Sequence, residues 1–246
     1  GVFTKSPLTG IYSESYSGGK AAEPMSRTGY DAFVLEEASS EPVWIEISDR
    51  KVTFHEAKDL WGKDTYFTED EVLKRVNQKG ASALVIGPAG ENLVRYAVIE
   101  NDYWRSLGRT GVGAVMGSKN LKAVAVRGHG KGKVANEETL KQIVNWLLQN
   151  RKLRWELGTG GDYMEAAALS GNLPTRNFRD GAFSGAKALD PRTIKETIGL
   201  NMESCYACPR RCKKVVKIDE PWQVDPIYGG PEYEAIGALG SNCGVD

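Results

Sequence analysis

Cys205-Tyr-Ala-Cys208-Pro-Arg-Arg-Cys212 places three cysteines in the spacing C-x2-C-x3-C. Three thiols this close can face one small metal centre. Zinc sites and cubane iron–sulfur clusters usually take four ligands, so the trio is one short. Arg210, Arg211, Lys213 and Lys214 surround the last cysteine and would offset the negative charge of a thiolate-bound cluster. Pro209 stops the local chain from continuing as helix. Spacing alone leaves an iron–sulfur cluster, a zinc ion and ordinary thiols open, and the basic flank favours the cluster.

Working outward, the cysteines sit in a helix-rich region. Asn136 is placed as an N-cap, with Leu140, Ile143, Val144, Leu147 and Leu148 behind it at helical spacing. Residues 166–169 and 194–198 read as further short helices. Beyond the cysteines, Gly229-Gly-Pro-Glu232-Tyr-Glu234 is a turn opening another helix. Acidic residues at a helix start are explained by capping and the helix dipole, and only a neighbouring metal centre would make one a proton-transfer group.

Upstream of Lys131-Gly-Lys133, the expected domain boundary, the pattern is sheet-rich. Residues 1–35 read as strands and turns, with turns at Ser6-Pro-Leu-Thr-Gly10 and Ser17-Gly18-Gly19. Adjacent glycines let backbone N–H groups converge on an anion, although a hairpin turn explains them as well. Residues 30–35 read as a short buried strand. Val43, Ile45 and Ile47 alternate with Trp44, Glu46 and Ser48, and Val52 and Phe54 return after a turn at Asp49-Arg50. His55 falls on the polar phase and is given no role. Thr68-Glu-Asp-Glu71 matches a capping box for a helix with Val72, Leu73 and Val76 on one face, ending near Gly80. Strands follow at 83–86 and 121–126.

Arg105-Ser-Leu-Gly108-Arg109-Thr-Gly111-Val-Gly113 is a second chemical centre. Arginine supplies a planar fork of donors and glycine lets the backbone close in, a combination suited to phosphate. No G-K-[ST] follows, and the glycine spacing reverses the dinucleotide fingerprint. A glycine-rich turn with surface arginines is the plainer reading of the segment alone.

The composition bounds the rest. The chain has 246 residues, 41% hydrophobic, enough for one large domain or two modest ones. Lys plus Arg equals Asp plus Glu at 32 each, against the basic excess of a general nucleic-acid binder. No apolar run is long enough to span a bilayer, and there is no secretory signal, so no membrane partner is expected. A tight trio plus one isolated cysteine is a poor disulfide framework and points to a reducing cytoplasm. The chain begins within a strand-like pattern at Gly1-Val-Phe-Thr and ends without a polar tail, which reads as a fragment.

Taken together, several stretches resemble the tungsten-containing aldehyde ferredoxin oxidoreductase family. They are Thr4-Lys-Ser-Pro-Leu-Thr-Gly10, Ser17-Gly-Gly19, Gly29-Tyr-Asp-Ala32, Gly87-Pro-Ala-Gly-Glu-Asn92, Gly108-Arg-Thr-Gly-Val-Gly-Ala-Val-Met-Gly-Ser-Lys-Asn-Leu-Lys-Ala123, the cysteine trio, and Gly230-Pro-Glu-Tyr-Glu234. The resemblance implies an α+β fold. A β-rich base domain over 1–130 would carry two pyranopterins holding tungsten or molybdenum, with magnesium. A mainly helical region over 131–246 would carry the cysteine cluster, and both domains would be truncated at their outer ends. On this resemblance Tyr16 and Gly18 lie on one pterin-contact loop and Arg105, Ser106 and Gly108 on the second. Cys205, Cys208 and Cys212 would ligate a [4Fe–4S] cluster whose fourth ligand lies beyond Asp246, and Cys243 would not be a ligand. Glu234 would move protons. Two departures stand out: Tyr16 replaces a common asparagine, and Lys20-Ala-Ala replaces Phe-Gly or a similar pair.

The implied activity is oxidation of an aldehyde to a carboxylic acid, with electrons passing through the cluster to ferredoxin. The implied partners are the aldehyde, ferredoxin, the remainder of the same protein or a second subunit, and a further copy in a homo-oligomer. The fragment alone is expected to be inactive. The alternative from a different class is a non-catalytic zinc module held by Cys205, Cys208, Cys212 and Cys243.

Overall fold

The computed structural model describes residues 1–132, 134–150, 154–161 and 163–246. The chain divides into two compact units, Gly1–Val134 and Ala135–Asp246. The boundary expected at Lys131-Gly-Lys133 includes Lys133, which lies outside the described residues.

The first unit opens with a hairpin, β1 (Val2–Lys5) paired antiparallel with β2 (Tyr12–Ser15). Ser6 closes its turn: the backbone N–H donates to Ile11 O at 2.9 Å, and Oγ accepts from the N–H groups of Leu8 and Thr9 at 3.2 Å each. There follow α1 (Ala22–Arg27), β3 (Val43–Ser48), β4 (Lys51–Glu56), α2 (Thr65–Val76), β5 (Ser82–Val85) and α3 (Pro88–Glu91). The unit ends with β6 (Ile99–Asn101), β7 (Arg105–Leu107), α4 (Val112–Ser118) and β8 (Leu121–Arg127). Six strands form one mixed sheet in the order β4-β3-β8-β5-β6-β7, with β3 and β8 parallel and the other pairs antiparallel.

The position of β3 inside this sheet changes the reading of its alternation. Ile45 and Ile47 enter one core layer with Val124, Val126 and Met116. Trp44 enters the opposite layer with Val72, Val76 and Ala125. An interior strand covered on both faces cannot present a polar face of the kind the alternation suggested. His55 stacks on Trp44 with ring centroids 3.9 Å apart, and its Nε2 lies 3.3 Å from Glu46.

Two further expectations are corrected. Residues 30–35 form no strand, and Val34 is 81% exposed. An apolar run becomes a strand only where its backbone groups find a partner, and none pairs there among the described residues. The capping-box reading also fails. The true N-cap of α2 is Asp64, whose carboxylate accepts from Phe67 N–H at 2.8 Å. Thr68 is buried inside the helix and donates to Asp64 O at 2.6 Å. The helix stops at Val76, where Asn77 adopts φ 47 and caps it.

The two family-like stretches around Gly87 and Gly108 meet in the packing of α3 on α4. A methyl group on Gly90 would stand 2.9 Å from Gly113 O, and one on Gly117 would run into Gly90 O. Gly111 and Gly113 are closed in the same way by the carbonyls of Arg95 and Val98. These glycines admit neighbouring backbone rather than a ligand. A buried ion pair fastens the same region. Lys122 Nζ, on β8, donates to the Glu91 carboxylate and to Lys63 O, the latter at 2.7 Å. Burial pushes the Lys122 ammonium down, while Glu91 and Asp64 pull it back up.

The second unit contains α5 (Glu137–Gln149), α6 (Arg154–Leu157), α7 (Tyr163–Leu169), α8 (Pro191–Thr197), β9 (Gly199–Glu203), β10 (Lys213–Val216) and α9 (Tyr233–Ala235), the last running into a π-turn over Ile236–Gly240. Its core gathers Met164, Ala167, Leu173, Ile194, Val216 and Ile236. Asn136 caps α5 by accepting from Thr139 N–H at 2.9 Å, yet no residue of α5 is buried, apolar stripe included. The cysteine stretch does not lie among helices: it connects β9 to β10, which pair antiparallel. The architecture is a mixed α/β one with a mixed sheet. No helix among the described residues is long and apolar enough to cross a membrane.

The ion pair makes a clear prediction. Glu91→Ala strands a buried ammonium and should cost roughly 3–5 kcal/mol. Glu91→Leu combined with Lys122→Met removes both charges and should recover most of that loss. Urea unfolding of the variants tests this, and a single substitution costing no more than the double would remove the pair from the stabilising contacts.

Candidate functional site

In the first unit the glycine loop is bonded to the end of β6, in the hairpin that carries the Arg105 segment. Asn101 ends β6 and is 1% exposed. Its Oδ1 accepts from Ser17 Oγ at 2.8 Å, and its Nδ2 donates to Gly18 O at 3.2 Å and to Asp102 Oδ2 at 3.0 Å. Asp102 in turn accepts from Lys20 N–H. Arg109 N–H donates to Ser15 Oγ at 3.2 Å, and Ser6 Oγ donates to Thr110 O at 2.9 Å. Gly19 is buried at φ 92, and a methyl group there would overlap Asn101 and Asp102. Its freedom serves this close approach, while Gly18 remains exposed.

Tyr16 is 61% exposed and donates to Glu14 Oε2 at 3.1 Å, a contact that pushes its phenol up. Arg105 is half-buried, with its guanidinium 4.0 Å from the Trp104 ring centroid. Ser106 is exposed, and its hydroxyl donates to the Glu100 carboxylate at 2.8 and 2.9 Å. Burial pushes Glu100 up, and the Ser106 bond partly offsets this. Gly108 is exposed, and a methyl group on it would meet only Ser106 Cβ, at 3.8 Å. This donor set fits an anionic, phosphate-bearing pterin. It offers a guanidinium and two glycines open to approach. Each nearby carboxylate accepts from a donor of its own: Glu14 from tyrosines, Glu100 from Ser106 and Asp102 from Lys20.

The turn linking these loops rests on a residue that the sequence reading had placed in a capping box. Glu69, on α2, is 1% exposed; it accepts from Asp102 N–H at 2.8 Å through Oε1 and from Tyr103 N–H at 3.1 Å through Oε2. Burial pushes its carboxyl up to about 7, against the pull of those two bonds. The available signal was its phase, since Val72, Leu73 and Val76 follow at i+3, i+4 and i+7 on the apolar face.

In the second unit Cys205, Cys208 and Cys212 are half-buried on one loop, and no disulfide joins the four cysteines. Cys208 N–H donates to Cys205 O at 3.1 Å, and Ala207 and Arg211 take positive φ of 52 and 48 to shape the turn. Much of the basic flank is engaged inside the unit. Arg211 donates to Met202 O at 2.6 Å, and Lys213 pairs with Glu203 at 3.1 Å. Lys214 is buried and donates to Thr159 O at 2.8 Å. Burial pushes Lys214 down, while Glu232, Cys212 and Glu234 all pull it up. Glu232 accepts from Thr159 Oγ1, whereas Glu234 is exposed at the start of α9. Cys243 is exposed, with Sγ 3.3 Å from Ala238 O.

Among the described residues no group of three or more His, Cys, Asp or Glu side chains is gathered round a single ion. In a [4Fe–4S] cube each thiolate binds a different iron, so its sulfurs stand further apart than the ligands of one ion. Three half-buried thiols on one loop suit such a cluster in kind.

Comparison with known proteins places these features in a family. “Aldehyde ferredoxin oxidoreductase, N-terminal domain” matches residues 1–128, and “Aldehyde ferredoxin oxidoreductase, domains 2 & 3” matches residues 138–246. The chain is 39% identical over 256 residues to a tungsten-containing aldehyde ferredoxin oxidoreductase of Thermococcus kodakarensis, covering 100% of this chain and 41% of that protein. It is 37% identical over 253 residues to the protein of that name from Pyrococcus furiosus, with the same coverage. An aliphatic sulfonate oxidoreductase, WOR-like subunit, of Pyrococcus furiosus is 27% identical over 99% of this chain and 42% of its own length. Among solved structures, the active-site complex BamBC of benzoyl coenzyme A reductase with 1,5-dienoyl-CoA is similar at a TM-score of 0.71 and 28% identity, covering 89% of this chain and 36% of that one. The chain thus spans about two-fifths of the length of the curated relatives it matches.

Proposed function

The chain belongs to the aldehyde ferredoxin oxidoreductase family, and on that footing we propose that it is part of a tungsten oxidoreductase converting aldehydes to carboxylic acids. The observation that carries the reading is the junction of the Tyr16–Lys20 segment with the β6–β7 hairpin through Asn101 and Asp102. It bonds Gly18 to the end of β6 in the hairpin whose second strand carries Arg105 and Ser106 and is followed by Gly108. Identity also favours the aldehyde-named relatives, at 39% and 37%, over the sulfonate-named one at 27%.

Arg105 would hold an anionic oxygen of the pterin, and the exposed backbone at Gly18 and Gly108 would supply neutral contacts. Tyr16 and Ser106 border the same loops. When bound, the tungsten–pterin group supplies the two-electron redox centre. Oxidation of RCHO with water to RCOOH releases two protons and two electrons. The Glu234 carboxylate accepts a proton in this reading, while Glu232, fixed by Thr159, keeps the helix start in place. Cys205, Cys208 and Cys212 would hold a cluster, with the fourth ligand outside this chain, and that group would supply a one-electron path towards a ferredoxin.

Three tests follow. Arg105→Ala should lower tungsten content while the unfolding midpoint stays near that of the wild type, since one charged hydrogen bond is worth about 1.5–3 kcal/mol. Full tungsten content in that variant would return Arg105 to the ordinary surface. For the cluster, Cys208→Ser should lose iron and near-visible absorbance, and Cys243→Ser should keep both; equal iron loss would overturn the ligand assignment. In the complete enzyme, Glu234→Gln should keep both metals and lose about 10²–10⁴-fold in turnover, with Glu232→Gln much milder. Normal turnover with a lowered melting temperature would make Glu234 a helix-start residue alone.

A further inference from the structure

Glu69 belongs neither to the core nor to the cofactor donors, yet both its oxygens are committed. They hold the N–H groups of Asp102 and Tyr103, two consecutive residues at φ 54 and 61. Left-handed backbone is unfavourable for such side chains and persists only where surrounding contacts fix it. The fixed turn carries Asn101 and Asp102, and these in turn hold Ser17, Gly18 and Lys20. A chain of direct contacts thus runs from α2 to the tip of the first loop.

We propose that Glu69 is the positioning residue of the two cofactor loops: from inside α2 its carboxyl group clamps the Asp102–Tyr103 turn, and that turn sets the Ser17–Lys20 loop against the β6–β7 hairpin. This rests on the reading that these loops hold the cofactor. The charged groups facing Glu69 are Asp70 from its own helix and Asp102 from the turn, and both disfavour its ionisation. Tyr103 faces it through its backbone N–H and turns its hydroxyl to Asp70. Opening the turn lets water reach Glu69 and returns its carboxyl from about 7 towards its ordinary value of 4.5. The closed turn therefore binds the proton more tightly than the open one. Closure is fully supported below the ordinary value, and that support is lost as pH rises to about 7.

Backbone amide exchange of the full chain, corrected for its intrinsic pH dependence, tests this. Protection at residues 17–20 and 101–103 should fall about tenfold or more between about pH 5 and 7, with β3 and β8 unchanged. Glu69→Gln, which carries no titratable proton, should flatten the profile. Glu69→Ala, which removes both acceptors, should lower protection of those residues at every pH. A wild-type profile without the step, or a step that survives in Glu69→Gln, overturns the proposal. So does a Glu69→Ala protein whose residues 17–20 keep wild-type protection. If Glu69→Ala does not fold, the wild-type and Glu69→Gln profiles decide. Tungsten content of the holoenzyme is scored separately. Loosened loops with full tungsten content overturn the cofactor reading and leave the hold of Glu69 on the turn standing; loops that stay closed overturn the role of Glu69 whatever the tungsten content.

Discussion

The amide of Asn101 is buried, and a buried amide must find partners for its oxygen and its nitrogen. It finds them in Ser17 and Gly18, 84 and 83 residues earlier in the chain, and in its neighbour Asp102. The Asp102 carboxylate adds a bond from Lys20 N–H at the same junction. The loop then closes over Gly19, and the hairpin turn beside it can present Arg105. Remove that one amide, and the junction loses its bonds to Ser17 and Gly18 while keeping those of Asp102 to Lys20 and of Arg109 to Ser15.

Much of this was legible in the sequence, for physical reasons that differ between elements. The β3–β4 hairpin was readable because a period of two survives in any environment, and the start of α5 because Asn136 acts locally. The glycine loop and the Arg105 segment were recognisable as anion-suited chemistry, though nothing local joined them. What failed depended on neighbours. Residues 30–35 have strand-like composition and no strand to pair with. The alternation around Trp44 could not reveal that β3 is an interior strand covered on both faces. Thr68 resembled a cap because its partner Glu71 sits at the right spacing, while Asp64, three residues before Phe67, was the acceptor in fact. Glu69 was passed over as filler in that false box, although its helical phase marked it as buried.

The second unit shows how a charge-rich stretch can be mostly structural. Arg211, Lys213 and Lys214 were read as counter-charges for a cluster. Each donates to a carbonyl or carboxylate within the unit. Lys214 is the exception in kind, because its buried ammonium feels Cys212, Glu232 and Glu234 together. That ammonium sits in a buried position where solvent screens little, and the three groups all favour its charged form.

Gly90, Gly111, Gly113 and Gly117 lie inside the runs that made the family recognisable, and each is closed by backbone or close neighbours rather than by a ligand. A descendant that lost its metal, its substrate and its electron partner would still have to keep them, because α3 cannot approach α4 otherwise. The signature is therefore a record of how the chain packs, and it would persist in an inert relative as faithfully as in a working enzyme. Lineage can be read from it, while the proposed chemistry rests on the sparser residues at Arg105 and the cysteine loop.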